Sequence, residues 1–202
     1  MKVAFLHAKQ DPKYARLMIA SVMEHMPNID ILHLTDSDTP ALTSCIVIRR
    51  PWSHDNPMIF KMEHLAELDG EILVLDTDVI VQRTLVDVFR FDFDMALTWR
   101  SKKIVDADGN DITQLMPYNC GVMFQRNKLF WKEALRFVSD KDVGWYADQL
   151  AVANLAPHFN VLKLHCDNFN YTPKSADDNL SSRYAVHYKG VSRHLMDKRF
   201  GL

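Results

Sequence analysis

The stretch EILVLDTDVI, residues 71–80, decides the reading of this chain. It is an apolar run that leads straight into two aspartates, Asp76 and Asp78, one residue apart. Side chains on an extended chain alternate faces, so the two carboxylates are expected to point one way and Thr77 the other. Two hard oxygen ligands at a strand's end suit an oxygen-seeking divalent ion, Mg²⁺ or Mn²⁺, which keeps positions open for water and for a substrate's phosphate oxygens. A diphosphate is the obvious client. The plainer alternative is a solvated turn after a buried strand, and the rest of the chain has to choose.

Composition narrows the classes. With 202 residues, 48% of them hydrophobic, the chain can bury a substantial core and is expected to form one domain over residues 1–202. A formal charge of −2 gives no support to nucleic-acid or anionic-membrane binding. VAFLHA after Met1 and Lys2 is too short for a secretory apolar region, and no run approaches a membrane span, so a cytoplasmic protein with no membrane span is expected. Cys45, Cys120 and Cys166 are odd in number and lack metal-ligand spacing, which fits reduced thiols.

Residues 3–7 read as a short buried strand. Asp11 and Pro12 then supply the cap and first-turn proline of a helix in which Tyr14, Leu17, Met18, Val22 and Met26 recur at helical spacing. Strands are expected at 29–34, closing on Thr35, Asp36, Ser37 and Asp38, and at 45–48. Asn56 and Pro57 open a second helix, with Met58, Ile59, Met62, Leu65 and Ala66 on one face and Lys61 off it. Gly70 ends that helix before the 71–80 stretch. Short apolar strands without polar alternation are usually covered on both faces by helices, so the order strand, helix, strand, strand, helix, strand predicts an α/β fold. Its expected form is Rossmann-like, with a mostly parallel central sheet flanked by helices and a small antiparallel element. Further strands are expected at 93–98, 118–125 and 184–187. The 105–113 segment carries an Asp-Gly signal for a hairpin or mobile loop. Asn127 is expected to cap a helix with Phe130, Ala134, Phe137 and Val138 on one face, and residues 148–156 to form a helix buried nearly all round.

These landmarks, in this order, resemble the nucleotide-diphospho-sugar transferases of the GT-A fold, most of all the family 8 type that includes glycogenin and bacterial galactosyltransferases. The resemblance runs over residues 2–193. In that family an aspartate-any-aspartate motif holds Mn²⁺ against the donor's diphosphate, and Asp76, Thr77 and Asp78 match it. A basic residue one helix earlier, here Lys61, contacts the donor. The Asn-Ser-Gly-Val strand is matched by Asn119, Cys120, Gly121 and Val122, with cysteine where serine or alanine is usual. The Asp-Gln pair of a late helix is matched by Asp148 and Gln149. The family's metal-binding histidine sits in a His-x-x-Gly-x-x-Lys pattern, matched by His187, Gly190 and, at the lysine position, Arg193. Ala8 and Asp36 fit the nucleotide-contacting positions near the N-terminus, while Tyr14 could stack on the base or pack within its helix. The proline and tryptophan that normally follow the lysine are His194 and Leu195 here.

The resemblance implies a metal-dependent transfer of sugar from a nucleoside diphosphate, usually UDP, with retention of anomeric configuration. Cleavage leaves negative charge on the departing phosphate, which a metal stabilises as a Lewis acid, a contribution of several kcal/mol. Asp78 is expected as a direct ligand, Asp76 as a bridge between metal and ribose, and His187 as the third ligand. An imidazole in the set favours Mn²⁺, with Mg²⁺ possible. Lys61 and Arg193 would add positive charge at the phosphates. Asp148 and Gln149 could bind sugar hydroxyls or face the anomeric carbon, and a glycine at 121 would let the sugar approach the backbone. Each has a simpler alternative: a structural histidine, a solvated lysine, a helix-capping aspartate. The acceptor stays open among a glycan, a lipid-linked saccharide, a protein, a small molecule and a modified nucleic-acid base. Two other functions compete. A haloacid-dehalogenase-like phosphatase would use Asp76 as nucleophile and the acids Asp177 and Asp178, and a non-catalytic binder would keep the fold without turnover.

Overall fold

Seven strands pair into one sheet in the computed structural model, which describes every residue except 54, 106–108, 140, 142–143 and 202. In chain order the strands of both sheets are β1 (Lys2–Leu6), β2 (Asp30–Thr35), β3 (Ile46–Arg49), β4 (Ile72–Leu75), β5 (Val79–Val81), β6 (Met95–Trp99), β7 (Tyr118–Gln125), β8 (Val161–His165) and β9 (Ala185–His187). The helices are α1 (Lys13–His25), α2 (Pro57–Leu65), α3 (Leu129–Val138), α4 (Ala147–Leu155), α5 (Cys166–Phe169) and α6 (Arg193–Phe200). The large sheet runs β3-β2-β1-β4-β7-β6-β8, and β5 and β9 form a separate antiparallel pair. Only β7 opposes its neighbours in the large sheet, through β4 and β6. This is the mostly parallel sheet with a small antiparallel element that the strand pattern predicts.

The central strands are apolar on both faces because both faces are covered. Val3, Phe5, Leu73 and Leu75 point into one hydrophobic cluster with Met18 and Val22 of α1. Ala4, Ile72 and Val74 point into the other, with Met62 of α2 and Phe130 and Trp131 of α3. Each such aliphatic side chain contributes about 1.5–3 kcal/mol on burial. Trp131 is fully buried and donates its indole N–H to Gln125 Oε1 at 2.8 Å, so its one polar atom is satisfied.

The helix starts follow the expected chemistry. Asp11 Oδ1 accepts from Lys13 N and Asn56 Oδ1 from Met58 N, each at 2.9 Å, and Asn127 Oδ1 accepts from Leu129 N at 3.0 Å. The expectation for residues 148–156 needs correction. The helix is Ala147–Leu155, and Asn154 is exposed on its outer face. β8, α5 and α6 were not expected from the pattern. Around the Asp-Gly signal, Val105 and Asp111 form an antiparallel bridge, while residues 106–108 lie outside the described part.

Parallel strands β1, β2 and β4 end on one edge of the sheet, and antiparallel β7 begins there. Ligands of open α/β sheets gather at this edge. Ala8, Asp36, Asp76 and Asn119 all lie on it.

Candidate metal centre

Asp76 and Asp78 do converge, but not by strand alternation. β4 stops at Leu75, residues 77 and 78 form a turn in which Val79 N donates to Asp76 O at 3.2 Å, and β5 begins at Val79. Two registers then fix the site. Leu75 pairs with Val122, and Asp76 N donates to Gly121 O at 2.9 Å, which seats the turn on β7. Val79 pairs with His187, and Tyr188 N donates to Asp78 O at 2.9 Å, which brings β9 alongside. His187, more than a hundred positions away in sequence, therefore lies against both acids. Its Nε2 is 3.1 Å from Asp78 Oδ1 and 3.7 Å from Asp76 Oδ2. One ligand atom from each of the three residues falls within 4.8 Å of the other two.

The imidazole is oriented from behind. Asn170 Nδ2 donates to Thr98 Oγ1 at 2.8 Å and to Asn119 O at 3.3 Å. A carbonyl oxygen only accepts, so the amide nitrogen must face it and Asn170 Oδ1 is left to face His187 Nδ1, 2.9 Å away. Nδ1 then carries the hydrogen and Nε2 presents its lone pair to two carboxylates. Three electron-rich atoms directed at one another require a cation between them, either a proton on Nε2 or a metal ion. Two carboxylates and an imidazole held by a hydrogen-bonded amide form a donor set that fits a divalent metal. Burial pushes the Asp78 carboxyl up, but His187 and then Arg193 outweigh it and hold its pKa at about 2, so this carboxylate is ionised.

Gly121 lies directly against the His187 ring. A Cβ there would lie 2.2 Å from His187 Cε1 and 2.3 Å from Nδ1. The missing side chain makes room for the histidine ring.

Lys61 also departs from expectation. Although the helical wheel sets it off the apolar face, its side chain is only 2% exposed. Its Nζ lies 2.7 Å from Asp148 Oδ2 and 3.3 Å from Asp76 Oδ1. Burial works against the ammonium, and the two carboxylates more than compensate, so it stays charged. Asp148 is thus the counterion of a buried lysine at the first turn of α4, and its Oδ1 also accepts from Gln149 N at 2.8 Å. Gln149 Oε1 accepts from Arg100 Nη2 at 2.6 Å, while Arg100 Nη1 donates to the carbonyls of Met116 and Tyr118. Arg193 donates from Nε to Asp78 Oδ2 at 2.8 Å, a carboxylate contact where the resemblance implies a phosphate.

The remaining expected residues fall around this chain of charges. Asn119 is buried and its Oδ1 accepts from Gly121 N at 3.0 Å. Thr77 sits partly buried in the acidic turn. Gly190, at φ +55°, starts the short turn into α6, in a conformation that favours glycine. Tyr14 is packed rather than open. Its hydroxyl donates to Asp197 Oδ2 at 3.1 Å, and it packs with the cluster beneath α6. Ala8 and Asp36 share the sheet edge but make no contact with the acidic turn. Asp36 Oδ1 accepts from Thr39 N at 2.7 Å, and Lys9 Nζ stands 4.0 Å from Oδ2. Asn170 and Thr98 escaped sequence reasoning. Asn170 falls in an irregular segment with no periodicity to mark it, and Thr98 reads as an ordinary strand residue.

Cys120 is fully enclosed and its thiol is driven up by burial, which suits packing and not nucleophilic attack. The phosphatase alternative is disfavoured by place: its nucleophile belongs on the first strand, and Asp76 follows β4. Asp178 is engaged by the Tyr171 hydroxyl at 3.0 Å and the Lys174 backbone at 2.8 Å. A shallow cavity of about 480 Å³, lined by Asp69, Asp94, Arg126 and Lys128 among others, lies at the opposite edge of the sheet, away from these residues. Among the described residues no helix is long and apolar enough to cross a membrane.

No protein-family model matches the sequence, and no curated protein matches it either. Solved structures do. One is galactosyltransferase LgtC in complex with donor and acceptor sugar analogs, at TM-score 0.62 and 16% identity over 100% of this chain and 96% of that one. Another is the glycosyltransferase GlyE of Streptococcus pneumoniae TIGR4, at TM-score 0.66 and 16% identity over 94% of this chain, which spans about half (54%) of GlyE. A third is a glycosyltransferase involved in glycosylation of the major capsid of PBCV-1, at TM-score 0.63 and 15% identity over 100% of both chains. At such identities the likeness speaks for architecture, and the chain has the GT-A glycosyltransferase fold.

Proposed function

We propose that this protein is a metal-dependent glycosyltransferase that moves a sugar from a nucleoside-diphosphate donor, UDP being the first candidate, to an acceptor, with retention. The observation that carries this reading is the convergence of His187 Nε2 with the carboxylates of Asp76 and Asp78 on the ligand-binding edge of a GT-A sheet. Asp78 and His187 are the direct ligands in this reading, and Asp76 serves both metal and ribose. When bound, the ion, Mn²⁺ by preference, supplies Lewis-acid stabilisation of the charge that develops on the leaving diphosphate. Asn170 holds a hydrogen on Nδ1, so the neutral imidazole offers its Nε2 lone pair to the metal. Lys61 bridges Asp76 and Asp148 and so holds α4 against the acidic turn. Gln149, fixed by Arg100, presents its amide N–H₂ at the start of α4, where a sugar hydroxyl can accept from it. No carboxylate of the chain is assigned as a nucleophile, and the leaving phosphate is the base for the acceptor's proton.

The test is a thermal-shift panel of UDP, GDP, ADP, CDP and their sugars, with and without Mn²⁺. A ligand at 100 times its dissociation constant stabilises by about 2.7 kcal/mol. Stabilisation by one diphosphate in Mn²⁺, absent in chelator and absent from His187→Ala, is expected. Stabilisation indifferent to metal would contradict the site. Release of free sugar or transfer from the same donor separates an enzyme from a binder without turnover.

A further inference from the structure

Arg193 and Asp197 lie four residues apart on α6 and therefore on one face of the helix. Opposite charges at that spacing can pair with each other, yet both are bonded outside the helix. Arg193 Nε donates to Asp78 Oδ2 at 2.8 Å. Asp197 accepts from Lys13 Nζ on Oδ1 at 2.9 Å and from the Tyr14 hydroxyl on Oδ2 at 3.1 Å. The Tyr14 ring ties the two ends together, with Lys13 Nζ 4.7 Å and Arg193 Cζ 5.9 Å from its centroid.

The two helices are anchored unequally. Lys13 and Tyr14 open α1, whose Met18 and Val22 are fully buried in one cluster with Val3 and Phe5 of the large sheet, and whose Ser21 Oγ accepts from Val81 N at 3.0 Å. α6 buries only Leu195 and Met196, and the short turn at Gly190 joins it to β9 and so to His187. A half-exposed ion pair adds little stability. Here, however, both oxygens of Asp197 are taken by groups on a fixed helix, and that decides where α6 sits. The consequence is felt at Asp78, which is held by Arg193 on Oδ2 while its Oδ1 faces His187 Nε2 at 3.1 Å.

We propose that Asp197 is a positioning residue for the metal centre: clasped by Lys13 and Tyr14, it sets α6 so that Arg193 holds Asp78 by Oδ2 and leaves Oδ1 turned toward the cation. This assignment rests on the metal centre of the function proposed above. Docking of α6 on α1 and binding of the ion are linked in it, so whatever weakens one weakens the other.

The experiment is isothermal titration of the full chain with Mn²⁺, in buffer and in the presence of each of UDP, GDP, ADP and CDP. It compares the parent protein with Asp197→Asn, Asp197→Glu, Lys13→Met and Tyr14→Phe. Removing a direct partner of a metal ligand costs about 10- to 100-fold in affinity, and the clasp acts one bond further out, so Asp197→Asn and Lys13→Met should each bind Mn²⁺ roughly 3- to 10-fold more weakly. Tyr14→Phe, which keeps the ion pair, should lose less, and Asp197→Glu should recover most of the affinity. The shared sign is decisive: attraction through space alone would weaken Mn²⁺ when the negative charge goes and strengthen it when the positive one goes. Hydrogen exchange of the amides at 190–200 should be slowed by Mn²⁺ in the parent, as reciprocity requires. Affinity unchanged in Asp197→Asn, opposite signs for the two charge removals, or exchange indifferent to the metal would overturn the assignment and leave the function standing. A parent protein that takes up no Mn²⁺, alone or with any of the four diphosphates, would overturn the function itself, and the assignment with it.

Discussion

Replacing Gly121 with alanine tests the geometry of the site without substituting any proposed metal ligand. The new Cβ would stand 2.2 Å from His187 Cε1 and 2.3 Å from Nδ1, where carbon contacts are comfortable only near about 3.5 Å. The ring has no easy retreat, because it is 3% exposed and its Nδ1 is bonded to Asn170 Oδ1 at 2.9 Å. Overpacking of this kind costs about 1–3 kcal/mol. Swinging the ring away breaks the Asn170 bond and leaves a buried amide oxygen unpaired, for about 1–3 kcal/mol. We expect Gly121→Ala to lose about 2–4 kcal/mol, which for a chain of this size lowers the melting temperature by roughly 5–15 °C. Displacement of Nε2 should also weaken Mn²⁺ by at least about tenfold, an effect of the size seen when a ligand loses its orientation.

A double-mutant cycle gives the result its meaning. With His187→Ala already in place the clash is gone, and alanine is preferred over glycine inside a strand by about 0.5–1 kcal/mol. Gly121→Ala should then be neutral or mildly stabilising, and the coupling energy should equal most of the single-mutant loss. Urea unfolding of the four proteins measures it. An equal penalty in both backgrounds, or a Gly121→Ala protein that melts and titrates like the parent, would refute the placement of the ring.

Lys61→Met should cost about 3–5 kcal/mol, because it strands the 3% exposed Asp148 side chain as an unpaired buried carboxylate. Adding Asp148→Asn should restore much of that loss in urea unfolding, and a double variant no better than the single would count against the pair. Burial, aided by Arg50, depresses His64 from 6.5 to about 4, so between those values the unfolded chain binds the proton and the folded chain does not. Stability should therefore fall as pH drops from about 6.5 to 4, by as much as about 3 kcal/mol, with buried His7 and His33 acting in the same sense. His64→Leu should flatten that slope in pH-resolved melting curves, and an unaltered slope would show that His64 is not its source.

How much of this was legible follows from the range of each interaction. The strands around residues 2–6 and 72–75 could be read because their apolar runs lack alternation, and both faces are indeed covered. The two acids could be read as a pair, yet the reason they converge is a turn that ends β4 and not the alternation of an extended chain. Lys61 was misplaced because a helical wheel knows one buried face. α2 is packed by the sheet on one side and by α3 and α4 on another, so a charged side chain is enclosed and meets Asp148 there. Asn170 could not be read at all. Its role exists only once Thr98 and Asn119 are brought behind His187. The edge strand β8, half exposed and interrupted by Lys163, and the short α6, with only Leu195 and Met196 buried, carry too little apolar periodicity to announce themselves.

The location of the acidic turn has a physical consequence. Asp76 follows the last residue of β4 in the large sheet, and Asp78 precedes β5 in the small one, so the turn is the covalent joint between the two sheets. His187 belongs to β9 and Arg193 opens α6, both on the small-sheet side, whereas Lys61 and Asp148 belong to helices on the large-sheet side. The polar groups therefore form one line across the joint: Asp148, Lys61, Asp76, His187, Asp78, Arg193. A cation held by Asp76, Asp78 and His187 would close this line at its centre and draw the small sheet and α6 onto the large one. In the proposed function, metal binding and docking of residues 185–200 would then be one equilibrium. Whatever a diphosphate added to the metal it would also add, in that function, to the order of the segment that carries Arg193.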